Sequence, residues 1–141
     1  MPLLFEAYIA FDDDTPEDHP PFTHEQSVWS MAYDYGLNAS GERGFYAALG
    51  FDPKKEYPAP LHPLRGVPEF IRRSSPIRQH LELEDDYAGW LDGREFFAAL
   101  RHARIDEIQL GRPVRVFLGA VRYLVSIYGE RRVRVVFTFV T

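Results

Sequence analysis

The sequence predicts an α+β fold in which a small antiparallel sheet, including the N-terminal and C-terminal strands, packs against a long C-terminal helix and several short helices. Three observations carry this reading. Leu3 to Phe11 alternates Leu3, Phe5, Ala7, Ile9 and Phe11 on one side with Leu4, Glu6 and Tyr8 on the other, the period-2 pattern of a strand. Val114, Phe117, Leu118, Val121, Leu124, Val125 and Tyr128 recur at helical spacing, between Pro113 in a first-turn position and Gly129 as a C-terminal stop. Arg132 to Val140, RVRVVFTFV, has the β-branched and aromatic content of a strand. A strand at the end of the chain needs a neighbour to hold it, and the opening strand is the natural candidate.

The elements between follow in order. Asp12 to Pro21, DDDTPEDHPP, has no apolar period and three prolines, so it reads as an exposed connection. Thr23 and Gln26 resemble a capping box, and Val28, Met31, Ala32 and Tyr35 follow at helical spacing, which predicts a helix from His24 to Tyr35. Ser40 caps a short helix, Glu42 to Leu49, with Phe45, Ala48 and Leu49 inward and Gly50 as its stop. Phe51 to Val67 is a loop stiffened by Pro53, Pro58, Pro60 and Pro63. Pro68 opens a short helical segment through Arg73, and Ser75-Pro76 starts a helix reaching Glu84. Asp92 and Glu95 form a second capping box, opening a helix with Phe96, Ala99, Leu100 and Ala103 on one face and its end near Arg104. FYAAL at Phe45 and FFAAL at Phe96 reflect similar amphipathic faces, since their flanks share almost nothing.

Composition bounds the function. With 141 residues, the chain is the size of one domain, residues 1–141, and 45% hydrophobic with 15% aromatic content suits a packed core. The absence of cysteine excludes disulfides, thiolate metal sites and a cysteine nucleophile. The opening MPLLFEAYIAF lacks a basic n-region, and no apolar run approaches the roughly 20 residues that span a bilayer, so the expectation is a cytoplasmic protein without a membrane partner. Residues 1–60 hold 11 acids and 3 bases while residues 61–141 hold 10 acids and 13 bases, within a net charge of −5. An acidic whole argues against direct nucleic-acid binding.

Several residue groups invite chemistry. Asp12, Asp13 and Asp14 after a hydrophobic strand suggest the nucleophile loop of haloacid-dehalogenase-like phosphatases, but Pro16 stands where that motif wants Thr or Val, and a solvated acidic loop is the better reading. The same loop offers Asp12, Asp14, Glu17, Asp18, His19 and His24 as oxygen and imidazole ligands, without the spacing of a closed metal site; no metal or other cofactor is expected. His62 in the loop and His80 with Glu82 and Glu84 make a general acid–base pair only if the fold brings them together. Arg65, Arg72, Arg73 and Arg78 bracket the Pro-rich loop and, with His62, form a basic candidate for a phosphate-bearing ligand or a partner. Tyr8, Tyr33, Tyr35, Tyr57, Tyr87 and Trp90 lie in or beside loops and helix ends, where aromatic residues often meet partners.

The succession Arg43 to Leu49, the Pro-rich loop, Leu64-Arg65-Gly66-Val67-Pro68, Gly89-Trp90-Leu91 before a helix, and the terminal Val133-Arg134-Val135-Val136-Phe137-Thr138-Phe139 resembles a group of small proteins encoded by tailed phages and prophages. That group carries an RGLP-like turn, an SWL-like helix start and a closing VRVVFWF-like strand, and the resemblance covers residues 43–139 in order. It implies a phage setting within a bacterial host. The group tends to have His or Ser before the Trp-Leu pair, where this chain has Asp85, Asp86, Tyr87, Ala88 and Gly89, and an Asp where this chain has Val140. That departure favours binding over catalysis.

The expectation is therefore a non-enzymatic accessory protein that binds and modulates a host protein, such as an anti-CRISPR-like inhibitor of a defence system. The acidic groups available for that contact are Asp12, Asp13, Asp14, Glu17, Asp18, Glu82, Glu84, Asp85 and Asp86, since an acidic surface can rival nucleic acid for a basic groove. Two rival expectations stand beside it: a small enzyme or sponge for a phosphate-bearing ligand built on His62, Arg65, Arg72, Arg73 and Arg78, and a bacterial immunity protein against a toxin.

Overall fold

Alternation of apolar residues makes the opening segment a ten-residue strand, β1 (Leu3–Asp12), and the computed structural model places it in the middle of the sheet. Residues 3–13, 15–16, 18–22, 28–37, 42–69 and 87–140 are described. The other elements are β2 (Val28–Leu37), α1 (Arg43–Ala48), β3 (Ala88–Asp92), α2 (Gly93–His102), α3 (Arg112–Tyr128) and β4 (Val133–Val140). The sheet runs β2-β1-β4-β3 with every pair antiparallel, so the first and last strands are its two central members.

One face of the sheet carries the core. Phe5, Ala7 and Ile9 of β1 and Val133, Val135, Phe137 and Phe139 of β4 lie against α1, α2 and α3. The Phe5 ring is the hub, 5.3–6.4 Å from the rings of Phe45, Tyr46, Phe117, Phe137 and Phe139. Such tilted and edge-on ring pairs add specific geometry to area burial. Gly89 of β3 is required by this packing, because a Cβ there would stand 2.8 Å from the Phe137 ring.

Local signals set the helix ends. α2 opens on the expected capping box: Asp92 Oδ1 accepts from the Glu95 amide at 2.8 Å, and Glu95 Oε1 accepts from the Asp92 amide at 3.2 Å. It closes in a Schellman motif, with the amide of Ile105 donating to the Leu100 carbonyl and that of Arg104 to the Arg101 carbonyl. Arg104 holds the left-handed position there, φ +56°, where glycine is usual. α3 starts one residue before Pro113, and Gly129 at φ +88° ends it. Glu42, which precedes α1, also serves α3: its buried Oε1 accepts from the Gly111 amide at 2.9 Å, placing a carboxylate at the positive end of that 17-residue helix.

Two readings of the sequence are corrected. The segment read as a helix from His24 to Tyr35 is β2 over its described residues, while Thr23 and Gln26 lie outside them. Val28, Met31, Ala32 and Tyr35 fit a helical period, but Trp29, Met31, Tyr33, Tyr35 and Leu37 equally fit a period of 2. A ten-residue ladder with β1, pairing Trp29 with Phe11 and Tyr35 with Phe5, decides between them. Likewise β3 has no counterpart among the expected elements. It is five residues long, contains a glycine and runs straight into the capping box of α2, so only its pairing with β4 makes it a strand. The short helical segment after Pro68 and the helix from Ser75 lie outside the described residues except at Pro68 and Glu69. Among the described residues no helix is long and apolar enough to cross a membrane.

Because five rings converge on Phe5, Phe5→Ala is expected to lower the unfolding free energy by about 3–5 kcal/mol, measured by urea denaturation. A loss below about 1 kcal/mol would mean that the hub does not hold the two central strands to the helices.

Candidate functional site

The second face of the sheet is polar at its β3–β4 end. Alternation along β4 puts Arg134, Val136 and Thr138 opposite the core residues, in register with Ala10, Tyr8 and Glu6 of β1 and with Asp92, Trp90 and Ala88 of β3. Phe22, returning from the loop after β1, joins Ala10 and Val136 in a small buried cluster against which Val67 and Trp90 pack. The Arg134 guanidinium lies 4.5 Å from the Trp90 ring centre and 4.3 Å from that of Phe22. Burial holds its pKa below the ordinary arginine value, against the opposing pull of Asp92 and Glu95.

The Arg65-Gly66 turn docks on this face. Arg65 Nη1 donates to Glu95 Oε1 at 2.9 Å while Nη2 bonds Oε2, a bidentate pair, and the guanidinium stands 4.8 Å from the Trp90 ring centre. The Gly66 amide donates to the Ala88 carbonyl at 2.9 Å. His62 Nδ1 is 3.1 Å from Arg65 Nη2 and 3.8 Å from Glu95 Oε2, which places the imidazole beside the Arg65–Glu95 pair. The hydrogen bond from Arg65 holds the Glu95 carboxyl below its usual range and in turn raises the Arg65 pKa, while burial raises that of Asp92.

The structure thus brings two of the basic candidates together, His62 and Arg65, and closes the Arg65 fork with an internal carboxylate. Arg72, Arg73 and Arg78 lie outside the described residues, as do His80, Asp14, Glu17, Glu82, Glu84, Asp85 and Asp86. Asp13 and Asp18 are exposed. Asp12 is not a surface group at all: it is fully buried at the end of β1, where its carboxylate accepts from the amides of Thr15 at 3.1 Å and Phe22 at 2.6 Å. Burial raises its pKa, but the Thr15 side chain, those two amides and the charge of Arg132 outweigh it and hold Asp12 below the ordinary value. Tyr8, read as a loop-side aromatic, is buried in β1. Among the described residues no three carboxylate or imidazole groups are placed to hold a metal.

Two members of the polar cluster, Glu95 and Arg134, escaped sequence reasoning as site residues, while Trp90 stood among the candidate contact aromatics. The capping box exposed Glu95 only as a helix start; its second role joins residues 30 positions apart.

A separate concavity lies under the Pro-rich loop. α1 turns Gly44, Ala47 and Ala48 toward the segment Tyr57 to Pro60, and the end of α2 completes a cavity of about 280 Å³ with His102, Arg104 and Asp106. The loop is fastened at several points: Asp52 accepts from the amides of Glu56 at 3.2 Å and Tyr57 at 2.9 Å, and Arg43 pairs with Glu56 at 3.4 Å. Between these ties and the Arg65 anchor, Tyr57 and Leu61 remain exposed. No protein-family model, curated protein or solved structure matches this chain.

Two outcomes follow from the geometry. With its pKa lowered, Asp12 contributes stability in full above the unfolded carboxylate value of about 3.9, and that contribution is lost as pH falls through the lower folded value. Asp92, with its pKa raised, works in the opposite sense, its burden easing as pH falls. Asp12→Asn should therefore destabilise the protein by about 1–3 kcal/mol at neutral pH and flatten the fall in stability below about pH 4; an unchanged acid limb in melting curves would contradict this. For the partly buried Arg65–Glu95 pair, a double-mutant cycle with Arg65→Met and Glu95→Gln should give a coupling of about 1 kcal/mol that shrinks with added salt. Zero coupling at low salt would remove the pair as the anchor of the loop.

Proposed function

We propose that this chain is a non-enzymatic, phage-type accessory protein that binds and modulates a host protein, and that the segment Arg43 to Pro68 is its principal recognition surface. The observation that carries the reading is the loop itself: it is fastened at Asp52, Arg43, Arg65 and Gly66, yet displays Tyr57 and Leu61 beside a cavity. A loop held in its binding shape loses little entropy on association, and exposed aromatic and aliphatic groups are what such surfaces use as anchors. Arg104 supports the same surface. At the C′ position of α2, a non-glycine residue is held in a conformation that glycine would adopt more readily, and that residue lines the cavity.

The phage resemblance of residues 43–139 suggests a bacterial host protein as the partner, with inhibition of a defence system such as CRISPR as one setting. For an interface built on acidic groups, the described candidates are Asp13 and Asp18, because Asp12 is committed to its own loop. The phosphate-ligand alternative is weakened by the carboxylate already in the Arg65 fork.

Affinity capture from the native host, followed by mass spectrometry, tests the proposal. Wild type is expected to retain a specific protein that Tyr57→Ser combined with Leu61→Ser loses, with the melting temperature unchanged because both side chains are exposed. Asp13→Lys with Asp18→Lys tests the acidic version in parallel. Retention by the Tyr57/Leu61 variant but loss by the charge-reversal variant would move the interface from the Pro-rich loop to the acidic one.

A further inference from the structure

α3 carries a second surface that the core does not explain. Its inward residues Val114, Phe117, Leu118, Val121 and Leu124 are buried. Its outward side is apolar as well: Val116 is 67% exposed, Tyr123 66% and Ile127 58%, and Ile108 in the turn leading to the helix is 80% exposed. Val116, Gly119, Tyr123 and Ile127 succeed one another at steps of three and four, so they form one stripe about 16 Å long. On the solvent side of a helix packed in a soluble fold, charged and polar residues are expected instead.

Gly119 sharpens the point. It sits in the interior of a 17-residue helix, where glycine is a poor helix former. Among the described residues a Cβ at that position would meet nothing within 4 Å, so no contact with them requires the glycine. What its lack of a side chain does permit is the close approach of another backbone from outside.

The charges select the kind of partner. α3 holds Arg112, Arg115 and Arg122 and no Asp or Glu. Arg122 pairs with Glu107 at 2.5 Å, whereas Arg112 and Arg115 are exposed with no carboxylate partner among the described residues. Pairing α3 with α3 of a second copy would bring arginines to the seam without a single acid from either helix. We propose that this face docks a helix of another protein, with an apolar stripe that crosses at Gly119 and a border of carboxylates that meets Arg112 and Arg115. This surface is distinct from the Pro-rich loop, and the inference stands whether or not that loop binds a partner.

The test uses two synthetic amphipathic peptides of about 18 residues, long enough to run the length of α3. They share a leucine stripe and differ only in flanking glutamates or flanking lysines. By fluorescence anisotropy with the full chain, the glutamate peptide is expected to bind at least about tenfold more tightly. Arg112→Glu with Arg115→Glu should reverse the preference. Gly119→Gln should weaken binding of the glutamate peptide by about tenfold or more while leaving the melting temperature unchanged or higher, which separates a blocked approach from a damaged fold. Equal affinity for the two peptides, or indifference to Gly119→Gln, would overturn the proposal. So would sedimentation equilibrium showing a dimer that Gly119→Gln dissociates, which gives the face to a second copy, or binding to phosphatidylserine vesicles that Gly119→Gln leaves intact, which gives it to a lipid surface.

Discussion

Antiparallel pairing of β1 with β4 is the constraint on which the rest of the structure depends. It joins the two ends of the chain in the centre of the sheet, so each strand has a neighbour on both edges and residues to bury on both faces. A central strand of this kind cannot leave one face wet without exposing apolar residues such as Ala10 and Val136, both of which are buried. Two different covers meet this demand. The helices cover one face through an aromatic cluster around Phe5; loop residues and long side chains cover part of the other.

The second cover is polar for a physical reason. The described loops that reach it bring Phe22, Arg65 and Val67, β4 itself adds Arg134, and an arginine can lay its guanidinium over an aromatic ring while its charge is met at the edge. Arg134 does this against Trp90 and Phe22, and Arg65 does it against Trp90 with Glu95 as its counter-ion. The two carboxylates nearby are pushed in opposite directions, Asp92 up by burial and Glu95 down by Arg65. Opposed shifts of this kind often mark an acid–base pair. Here the burial of Asp92 and the Arg65 fork on Glu95 account for them, and each group is already engaged in holding α2 to β3 or the loop to α2. Asp12 plays the corresponding part at the far end of β1, closing its own loop so that Phe22 reaches the sheet.

The parts legible in the sequence are those governed by local rules. Alternation in Leu3 to Phe11 and Arg132 to Val140, the capping box at Asp92, and the stop at Gly129 each depend on residues within a few positions of one another, and the α+β class followed from them. β2 was misread because four of its residues satisfy both a helical and a strand period, and the ladder that chooses between them belongs to a different stretch of chain. β3 is too short to show a period. The candidate site fared likewise: His62 and Arg65 lie three residues apart and stood out together, whereas the carboxylate that pairs with Arg65 is 30 residues away from it. Asp12 looked like the first residue of a solvated acidic run, and nothing in DDDTPEDHPP marks its carboxylate as one whose hydrogen bonds turn inward.

This division of labour bears on how the surfaces relate to the fold. Residues that hold the Pro-rich loop, Asp52, Arg65 and Gly66, are not the ones it displays, Tyr57 and Leu61. On α3 the buried and exposed stripes likewise use different positions of one helix. The displayed residues make little contact with the core, so stability does not explain why they are apolar. Water disfavours such groups at a surface, and the fold would be served as well by Ser, Lys or Glu in their place. Apolar character where folding does not ask for it, on supports as fixed as an anchored loop and a capped helix, is the observation on which the contacts proposed for both surfaces rest.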